Sequence, residues 1–291
     1  MKIVTHNGKF HADEVFAVAT ILLAHEGEDI EIVRTRDPLI IKTGDIVVDV
    51  GGEYNPSLGK FDHHQTEGAG IRENGIPYSS FGIVWKKYGE KVCNSRLVSD
   101  TIDKFLVMSL DALDNGIDIQ KPMLENIYEY TAGDLVDAFN PSWRETINRD
   151  ESFKEAVEVA KKVLRREIIR TRDKQEGKAM VETVFAGAVD KRIIVLEDYL
   201  PWSDVLCVHT EPMFVVYPDP DKKWRVQAVR DNPHLFENRK DFPSAWGGKT
   251  GRELSEITEV SDAIFCHKGL FLCGAQTKEG AISLAKKALD A

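Results

Sequence analysis

Short apolar runs that end in Asp or His alternate with helical patterns in the first half of the chain, and this alternation constrains the fold most strongly. In chain order, we expect strands at 2–6, 31–36, 45–51 and 60–64, a helix at 11–27 after the first strand, and helices at 79–89, 97–115 and 121–138. The nearly continuous apolar run at 45–51 is typical of a parallel strand that is buried on both faces. The pattern therefore predicts an α/β fold with a mainly parallel sheet flanked by helices.

The second half of the chain has a different pattern. A charged helical pattern over 151–180 repeats its apolar residues at spacings of three and four, which predicts an amphipathic connecting helix. The elements expected after it are strands at 181–187, 192–197, 213–218, 223–230, 263–269 and 270–275, the last two as a hairpin around Lys268-Gly269, and a helix at 278–289 capped by Thr277. We expect a catalytic domain at 1–145, a helical connector at 146–180 and a smaller α/β domain at 181–291.

The net charge of −10 argues against indiscriminate binding of nucleic acid, which depends on neutralising phosphates. It leaves nucleic acid open as a substrate, because metal ions offset carboxylates locally. No apolar run approaches the roughly 20 residues of a membrane span, and no targeting segment is recognised at the start, so a cytoplasmic protein is expected. Its four cysteines are expected to be reduced thiols, since no CxxC spacing supports a zinc site.

Asp and His residues lie at the ends of three expected strands. His6 ends the first strand, Asp49 lies near the end of the third, and the tripeptide 62–64 (Asp-His-His) ends the fourth. His11 and Asp13 open the first helix. A lone His at a strand end is usually a hydrogen-bonded polar residue, and Asp13 alone would suit a helix N-terminus. Their joint placement is better explained by one site at the carboxyl edge of the sheet.

Imidazole and carboxylate groups together favour Mn, Fe, Co or Zn over Ca or Mg. With this many ligands, two ions that share a carboxylate are plausible, and a pair about 3.5–4 Å apart can activate water in phosphoryl displacement. Asp111 and Asp114 stand at i and i+3 on one helix face, and one of them could supply a further ligand. The alternative is that both mark a helix end before an Asn-Gly turn.

Several motifs occur in the order typical of one family. They are HNGKFHADEVFAVA (6–19), VRTRDP (33–38), VVDVGGEYNP (47–56), FDHHQ (61–65), LDALDNGI (110–117) and SAWGGKTGRELSEITEVSDAIFCHKGLF (244–271). In these motifs the chain resembles the melanocyte-proliferating-gene-1 family of the DHH phosphoesterase superfamily. The resemblance implies a DHH domain, a helical connector and a C-terminal substrate-binding domain, with the active site between the domains. It further implies two divalent metal ions, usually manganese, and exonuclease activity on RNA from the 3′ end. From the superfamily we also expect a homodimer.

The resemblance also implies roles for individual residues. His6, His11 and Asp49 would bind one ion. The second ion would be bound by Asp13, Asp49, His63 and either Asp111 or Asp114, with Asp49 bridging. His64 would face the scissile phosphate as an acid or substrate contact, and Asp62 would orient its neighbours. The chain departs from the common first DHH motif at His11, where that motif has Asp.

Substrate contacts are expected from basic residues, although single Arg and Lys side chains are more often solvated surface. The candidates are Arg34, Arg36, Arg225, Arg230, Lys249, Arg252, His267 and Lys268. The turn 247–249 (Gly-Gly-Lys) could present backbone N–H groups to a phosphate. Exposed aromatic residues would stack on bases, and the candidates are Trp202, Trp224, Trp246 and Phe271, each of which is more often core packing.

The leading hypothesis is a two-metal phosphodiesterase that acts as a 3′–5′ exonuclease on single-stranded RNA. One alternative is a hydrolase of a small phosphate ester, such as pyrophosphate or a short oligonucleotide, for which a closed pocket would be expected instead of a basic groove. Another alternative is a non-catalytic, metal-containing protein that binds nucleic acid. The apparently complete ligand set favours an enzyme over this binding protein.

Overall fold

The computed structural model of the protein describes residues 1–121, 124–232 and 235–291. The described chain divides into two compact units, Met1–Arg172 and Asp173–Ala291. Each unit contains one five-stranded sheet with helices, so the expectation of a mixed α/β protein is confirmed. No helix of the described residues is both long enough and apolar enough to span a membrane.

The first unit is built on a mainly parallel sheet with the strand order β2-β1-β3-β5-β4. Its strands are β1 (Lys2–Thr5), β2 (Glu31–Arg34), β3 (Ile46–Val48), β4 (Tyr54–Asn55) and β5 (Lys60–Phe61). Strand β1 pairs in parallel with β2 and β3, β3 pairs in parallel with β5, and only β4 is antiparallel. The carboxyl ends of β1, β3 and β5 therefore lie side by side.

The helices of the first unit cover the sheet with apolar side chains. They are α1 (Ala12–Ala24), α2 (Pro38–Ile41), α3 (Ser80–Cys93), α4 (Arg96–Ile102), α5 (Met108–Asp114), α6 (Ala132–Asp137) and the start of α7 (Arg149–Gly187), with a π-helical turn at Asp103–Val107 before α5. Phe10, Phe61, Phe81 and Phe153 are fully buried in the core. The helix expected at 121–138 includes Pro122 and Met123, which lie outside the described residues, and α6 forms within its remainder.

Helix α7 corrects one expectation. Residues 181–187, expected as a strand, are the last turns of this helix, which has 39 residues. Val181 and Phe185 are both buried in a core cluster of the second unit. They stand four residues apart and so share one helix face, and this packing overrides the β propensity of the segment. The division between the two units falls inside the same helix.

The second unit has a mixed sheet with the order β6-β7-β8-β10-β9. Its strands are β6 (Ile193–Val195), β7 (Phe214–Pro218), β8 (Trp224–Ala228), β9 (Ala263–Cys266) and β10 (Leu272–Ala275), and its helices after α7 are α8 (Ser203–Leu206), α9 (Gly251–Thr258) and α10 (Lys278–Asp290), with a 3₁₀ turn at Ser244–Trp246. Strands β9 and β10 form the expected antiparallel hairpin. Thr277 caps α10 as expected, because its Oγ1 accepts a hydrogen bond from Gly280 N.

Candidate metal centre

Three side chains converge at the carboxyl ends of β1, β3 and β5. Asp49 Oδ2 lies 3.3 Å from His6 Nε2, and Asp49 Oδ1 lies 3.3 Å from His63 Nε2. Asp49 itself is 4% exposed. Its carboxylate therefore faces two imidazoles, one on each oxygen, which is the arrangement of a ligand able to bridge two ions.

The backbone at Asp49 adopts a conformation that L residues rarely use. Its φ is +56°, in the left-handed region, and the residue directly follows strand β3. Asp49 N donates to the carbonyl of Phe61 at 3.0 Å, and Ser80 Oγ donates to Asp49 Oδ1 at 2.9 Å. Strain of this kind persists where the surroundings hold it, and it is common at functional sites. Here these contacts hold the carboxylate towards the imidazoles.

Glu14 adds a carboxylate that the sequence analysis did not assign. It is completely buried, and its Oε1 lies 2.9 Å from His6 Nε2. His11 N donates to both oxygens of Glu14 at the start of α1. The only sequence signal for Glu14 was its position three residues after the first residue of the helix motif, as in a capping box. The structure places it among potential ligands together with His6 and His11.

Asp13 carries the strongest indication of a cation. The residue is 2% exposed, and neither carboxylate oxygen has a hydrogen-bond partner among the described residues. Its Oδ2 lies 3.8 Å from His63 Nε2, and Asp114 Oδ2 lies 3.4 Å from the same nitrogen. A buried carboxylate without donors is costly unless it is neutralised or coordinates a metal. The donor set therefore fits a divalent cation.

The pKa values of the cluster reflect this crowding. Burial acts to lower the pKa of His6, but hydrogen bonds with Asp49 and Glu14 outweigh it and raise the pKa to about 10. Burial acts to raise the pKa of Asp49, but its hydrogen bonds with His6 and His63 hold it below the usual range. Burial, followed by the charge of Asp49, raises the pKa of Asp13 well above its ordinary value. Without a metal, protonated imidazoles thus compensate the carboxylates.

Asp62 and His64 form a pair beside this cluster. Asp62 Oδ1 lies 2.7 Å from His64 Nδ1, and Asp62 Oδ2 accepts a hydrogen bond from Gly52 N at 2.5 Å. Asp62 is buried, whereas the His64 side chain is 61% exposed. The hydrogen bond with Asp62 raises the pKa of His64. The pair therefore presents an oriented imidazole to solvent at the edge of the cluster.

Of the two helix carboxylates, only Asp114 lies near the imidazoles. Asp111 instead accepts hydrogen bonds from Arg72 at 2.7 Å and from Ser79 Oγ at 2.7 Å. It also accepts from the backbone N–H groups of Ser79 and Gly82, and so caps helix α3. A Cβ at Gly82 would collide with this carboxylate, so the approach needs glycine. Asp111 thus has a complete set of partners away from the cluster.

The loop that joins His6 to His11 is held by side chains from distant segments. Asn140 Oδ1 accepts from Phe10 N at 3.1 Å, and Asn140 Nδ2 donates to Phe10 O at 2.9 Å. Arg34 donates to Gly8 O at 2.9 Å, and its side chain is only 2% exposed. Arg34, expected as a substrate contact, is therefore enclosed within the unit, where its guanidinium packs over Phe10 and Phe153. Arg36 is exposed after β2.

The basic candidates of the second unit differ in exposure: Arg252, His267 and Lys268 are exposed, whereas Arg225, Arg230 and Lys249 are half-buried. Lys249, two residues before helix α9, pairs with Glu253, and Arg252 pairs with Glu256 within the helix. His267 and Lys268 are exposed in the turn between β9 and β10. Lys249 Nζ lies 3.2 Å from Glu253 Oε2, a surface pair that a phosphate could replace at little cost.

The Gly-Gly-Lys turn at 247–249 does not form the expected phosphate nest. The N–H of Gly247 donates to Ser244 O, that of Gly248 to Cys266 O and that of Lys249 to Trp246 O. These three donors are therefore used within the protein. Of the expected aromatic platforms, Trp202 and Trp246 are buried, in agreement with the core-packing alternative.

Comparisons with known proteins place the chain beside one family. A family model named MYG1_exonuc, described as an uncharacterised protein family (UPF0160), matches residues 2–289. The mouse (Mus musculus) protein named MYG1 exonuclease is 36% identical, with 99% of this chain and 84% of the relative covered. The human (Homo sapiens) MYG1 exonuclease is 34% identical, with 99% and 85% covered. A MYG1 protein of Schizosaccharomyces pombe is 31% identical, with 100% and 98% covered.

Proposed function

The chain belongs to the MYG1 exonuclease family, and on this premise we propose that it is a metal-dependent phosphodiesterase that shortens single-stranded RNA from its 3′ end. The observation that carries the proposal is Asp49, placed between His6 and His63 and beside the unpartnered carboxylate of Asp13. The mouse and human relatives are named exonucleases, which supports a nucleic-acid substrate. The tripeptide 62–64 supports membership of the DHH superfamily.

The donors fit two divalent ions, and manganese suits their mixture of imidazole and carboxylate. We assign His6, His11 and Asp49 to one ion and Asp13, Asp49, His63 and Asp114 to the other. Glu14, 2.9 Å from His6 Nε2, lies within reach of the first. When bound, two such ions supply an activated water and stabilise negative charge on the leaving oxygen.

The surrounding residues orient these donors. His6 Nδ1 lies 3.0 Å from the carbonyl of Asn7, so a proton kept on Nδ1 leaves Nε2 to bind a metal once Nε2 has lost the proton that it shares with Asp49 and Glu14. Ser80 holds one oxygen of Asp49 through its hydroxyl. These contacts keep the ligand atoms in place before a metal binds, which reduces the reorganisation needed on binding.

His64 is the residue best placed to donate a proton to the leaving group. Its Nδ1 hydrogen bonds to Asp62, which leaves Nε2 without a partner among the described residues. The raised pKa keeps a larger fraction of the imidazole protonated near neutral pH. Asp62 stays ionised because burial is outweighed by hydrogen bonds from His64 and Gly52, which lower its pKa. The pair therefore stabilises the acid form of His64.

The test is hydrolysis of single-stranded RNA by metal-stripped protein to which Mn²⁺ is returned. A 5′-labelled RNA should shorten one nucleotide at a time, and a 3′-phosphate on the same RNA should block it. Asp49→Asn should abolish the reaction. Asp221→Asn, a carboxylate in an exposed turn of the second unit, is the matched control and should retain full activity.

Other outcomes would replace the proposal. Cleavage of pyrophosphate or a dinucleotide without shortening of the RNA would indicate a small-substrate hydrolase. Equal RNA binding by the wild type and by Asp49→Asn, with turnover by neither on any of these substrates, would indicate a binding protein that keeps the metal for structure.

A further inference from the structure

The second unit contains a cavity of about 200 Å³ that the metal centre does not use. Its lining includes Tyr199, Trp202, Gln227 and Arg230, which come from the loop before α8 and from strand β8 and the residues after it. Pockets for drug-sized ligands are larger, roughly 300–1,000 Å³. A cavity of this size with aromatic and polar walls suits a single planar ring system.

Tyr199 provides an aromatic surface at this cavity. It is 72% exposed, which is unusual for a large aromatic ring, and its centroid lies 5.3 Å from that of Tyr217. Tyr217 is buried and also contacts Trp202, with centroids 6.4 Å apart. The exposed ring thus rests on the buried ring of Tyr217, which Trp202 contacts in turn. Such supported rings stack on nucleobases because every base has a π face.

Gln227 offers hydrogen-bond donors to the same space. Its Oε1 accepts from Tyr217 Oη at 2.6 Å, and its Nε2 has no partner among the described residues. Burial raises the pKa of Tyr217 to about 12, so the phenol keeps its proton and remains the donor at neutral pH. With Oε1 accepting from this phenol, Nε2 is left to donate, which suits the carbonyl oxygens of a base.

Arg230 brings a positive charge without a carboxylate to neutralise it. Its guanidinium lies 5.1 Å from the ring centroid of Phe236, and within the described ranges no Asp or Glu pairs with it. Two neighbouring arginines, by contrast, are paired, Arg225 with Asp219 and Arg239 with Asp231. An unpaired guanidinium beside an aromatic cavity suits a phosphate oxygen.

We propose that this cavity binds one nucleotide of the RNA substrate, with its base stacked on Tyr199, a base carbonyl bonded to Gln227 and a phosphate paired with Arg230. The inference rests on the proposed function, because it assigns a contact to the same substrate. Its consequence is a preference for substrates that carry a base over phosphodiesters that lack one.

The probe is uridine 5′-monophosphate, titrated into full-length protein without added metal. Tyr199→Ala should weaken binding between about 5-fold and 150-fold, the range for loss of one stacked base. Tyr199→Phe keeps the ring and should bind within about 2-fold of the wild type. Arg230→Gln should weaken binding of the monophosphate but not of uridine. Equal binding by Tyr199→Ala and the wild type, or equal losses in the Ala and Phe variants, would overturn the proposal.

Kinetics separate this inference from the proposed function. If RNA is shortened, Tyr199→Ala should raise the KM for RNA at least about 5-fold while kcat stays within about 2-fold. If Tyr199→Ala shortens RNA with an unchanged KM for RNA, the proposal of a nucleotide site in the cavity is wrong, whereas the proposed nuclease function stands. If the protein binds uridine monophosphate in a way that depends on Tyr199 but shortens no RNA, the proposed nucleotide site stands and the proposed nuclease function is wrong.

Discussion

Asn140 forms two hydrogen bonds with the backbone of Phe10: its Oδ1 accepts from Phe10 N at 3.1 Å, and its Nδ2 donates to Phe10 O at 2.9 Å. The two residues are 130 positions apart. Phe10 directly precedes His11, so this pair sets the path of the loop that carries two candidate ligands.

Loss of a hydrogen bond between Asn140 and Phe10 should weaken metal binding. Asn140→Asp removes the donor to Phe10 O, and we expect Mn²⁺ affinity to fall about 10-fold to 100-fold, the usual range for residues that position ligands. Isothermal titration with Mn²⁺ measures the change. Asn74→Ala, whose exposed side chain donates to Met108 Sδ and accepts from Ile76 N, is the control. Unchanged affinity in Asn140→Asp would mean that the loop holds its path without the amide.

Substitution of the two helix carboxylates should separate metal binding from stability. Asp114→Asn should lower Mn²⁺ affinity at least about 10-fold and leave stability near the wild-type value, because it also relieves repulsion with Asp13 and Asp49. Asp111→Ala should lower the free energy of unfolding by about 3–5 kcal/mol, because it removes one of the two carboxylates that pair with the buried Arg72 and leaves the N–H groups of Ser79 and Gly82 at the start of α3 without an acceptor. Urea denaturation and Mn²⁺ titration measure both; the reverse pattern would make Asp111 the ligand.

Metal binding should release protons. In the metal-free protein the pKa of His6 is about 10, so its imidazole is charged at pH 7 and must lose a proton to become a ligand. Mn²⁺ affinity should therefore rise with pH from 6 towards 8, with release of about one proton or more. Titrations in PIPES and Tris, whose ionisation enthalpies differ, measure the number. A binding enthalpy that is identical in both buffers would contradict the assignment of His6.

The acid role of His64 predicts a dependence on the leaving group. His64→Ala should lower kcat on RNA about 10²-fold to 10⁴-fold. On a nucleotide p-nitrophenyl ester the loss should be small, since p-nitrophenolate leaves without a proton. Mn²⁺ affinity should be unchanged. His25→Ala, far along the same unit at the end of α1, is the control. Equal losses on both substrates together with weaker Mn²⁺ binding would make His64 a ligand instead.

Much of the centre follows from local patterns in the sequence. His6, Asp49 and the tripeptide 62–64 each end an apolar run, and adjacent parallel strands carry their carboxyl ends to the same edge of a sheet. The hairpin at Lys268-Gly269 and the cap at Thr277 likewise depend on residues close together in the chain. Interactions of this range are visible in a single sequence.

Contacts between segments far apart in the chain determine the other features of the site and of the fold. Asp111 and Asp114 share one helix face, but Arg72, 39 residues away, binds the first together with Ser79 and Gly82. The second is left near the imidazole of His63. The same holds for Arg34, which Gly8 and the aromatic rings of Phe10 and Phe153 enclose. The segment 181–187 is helical because Val181 and Phe185 meet a core from elsewhere in the chain. Periodicity selects the residues able to bind or pack, but the partner that each one meets is set by tertiary packing.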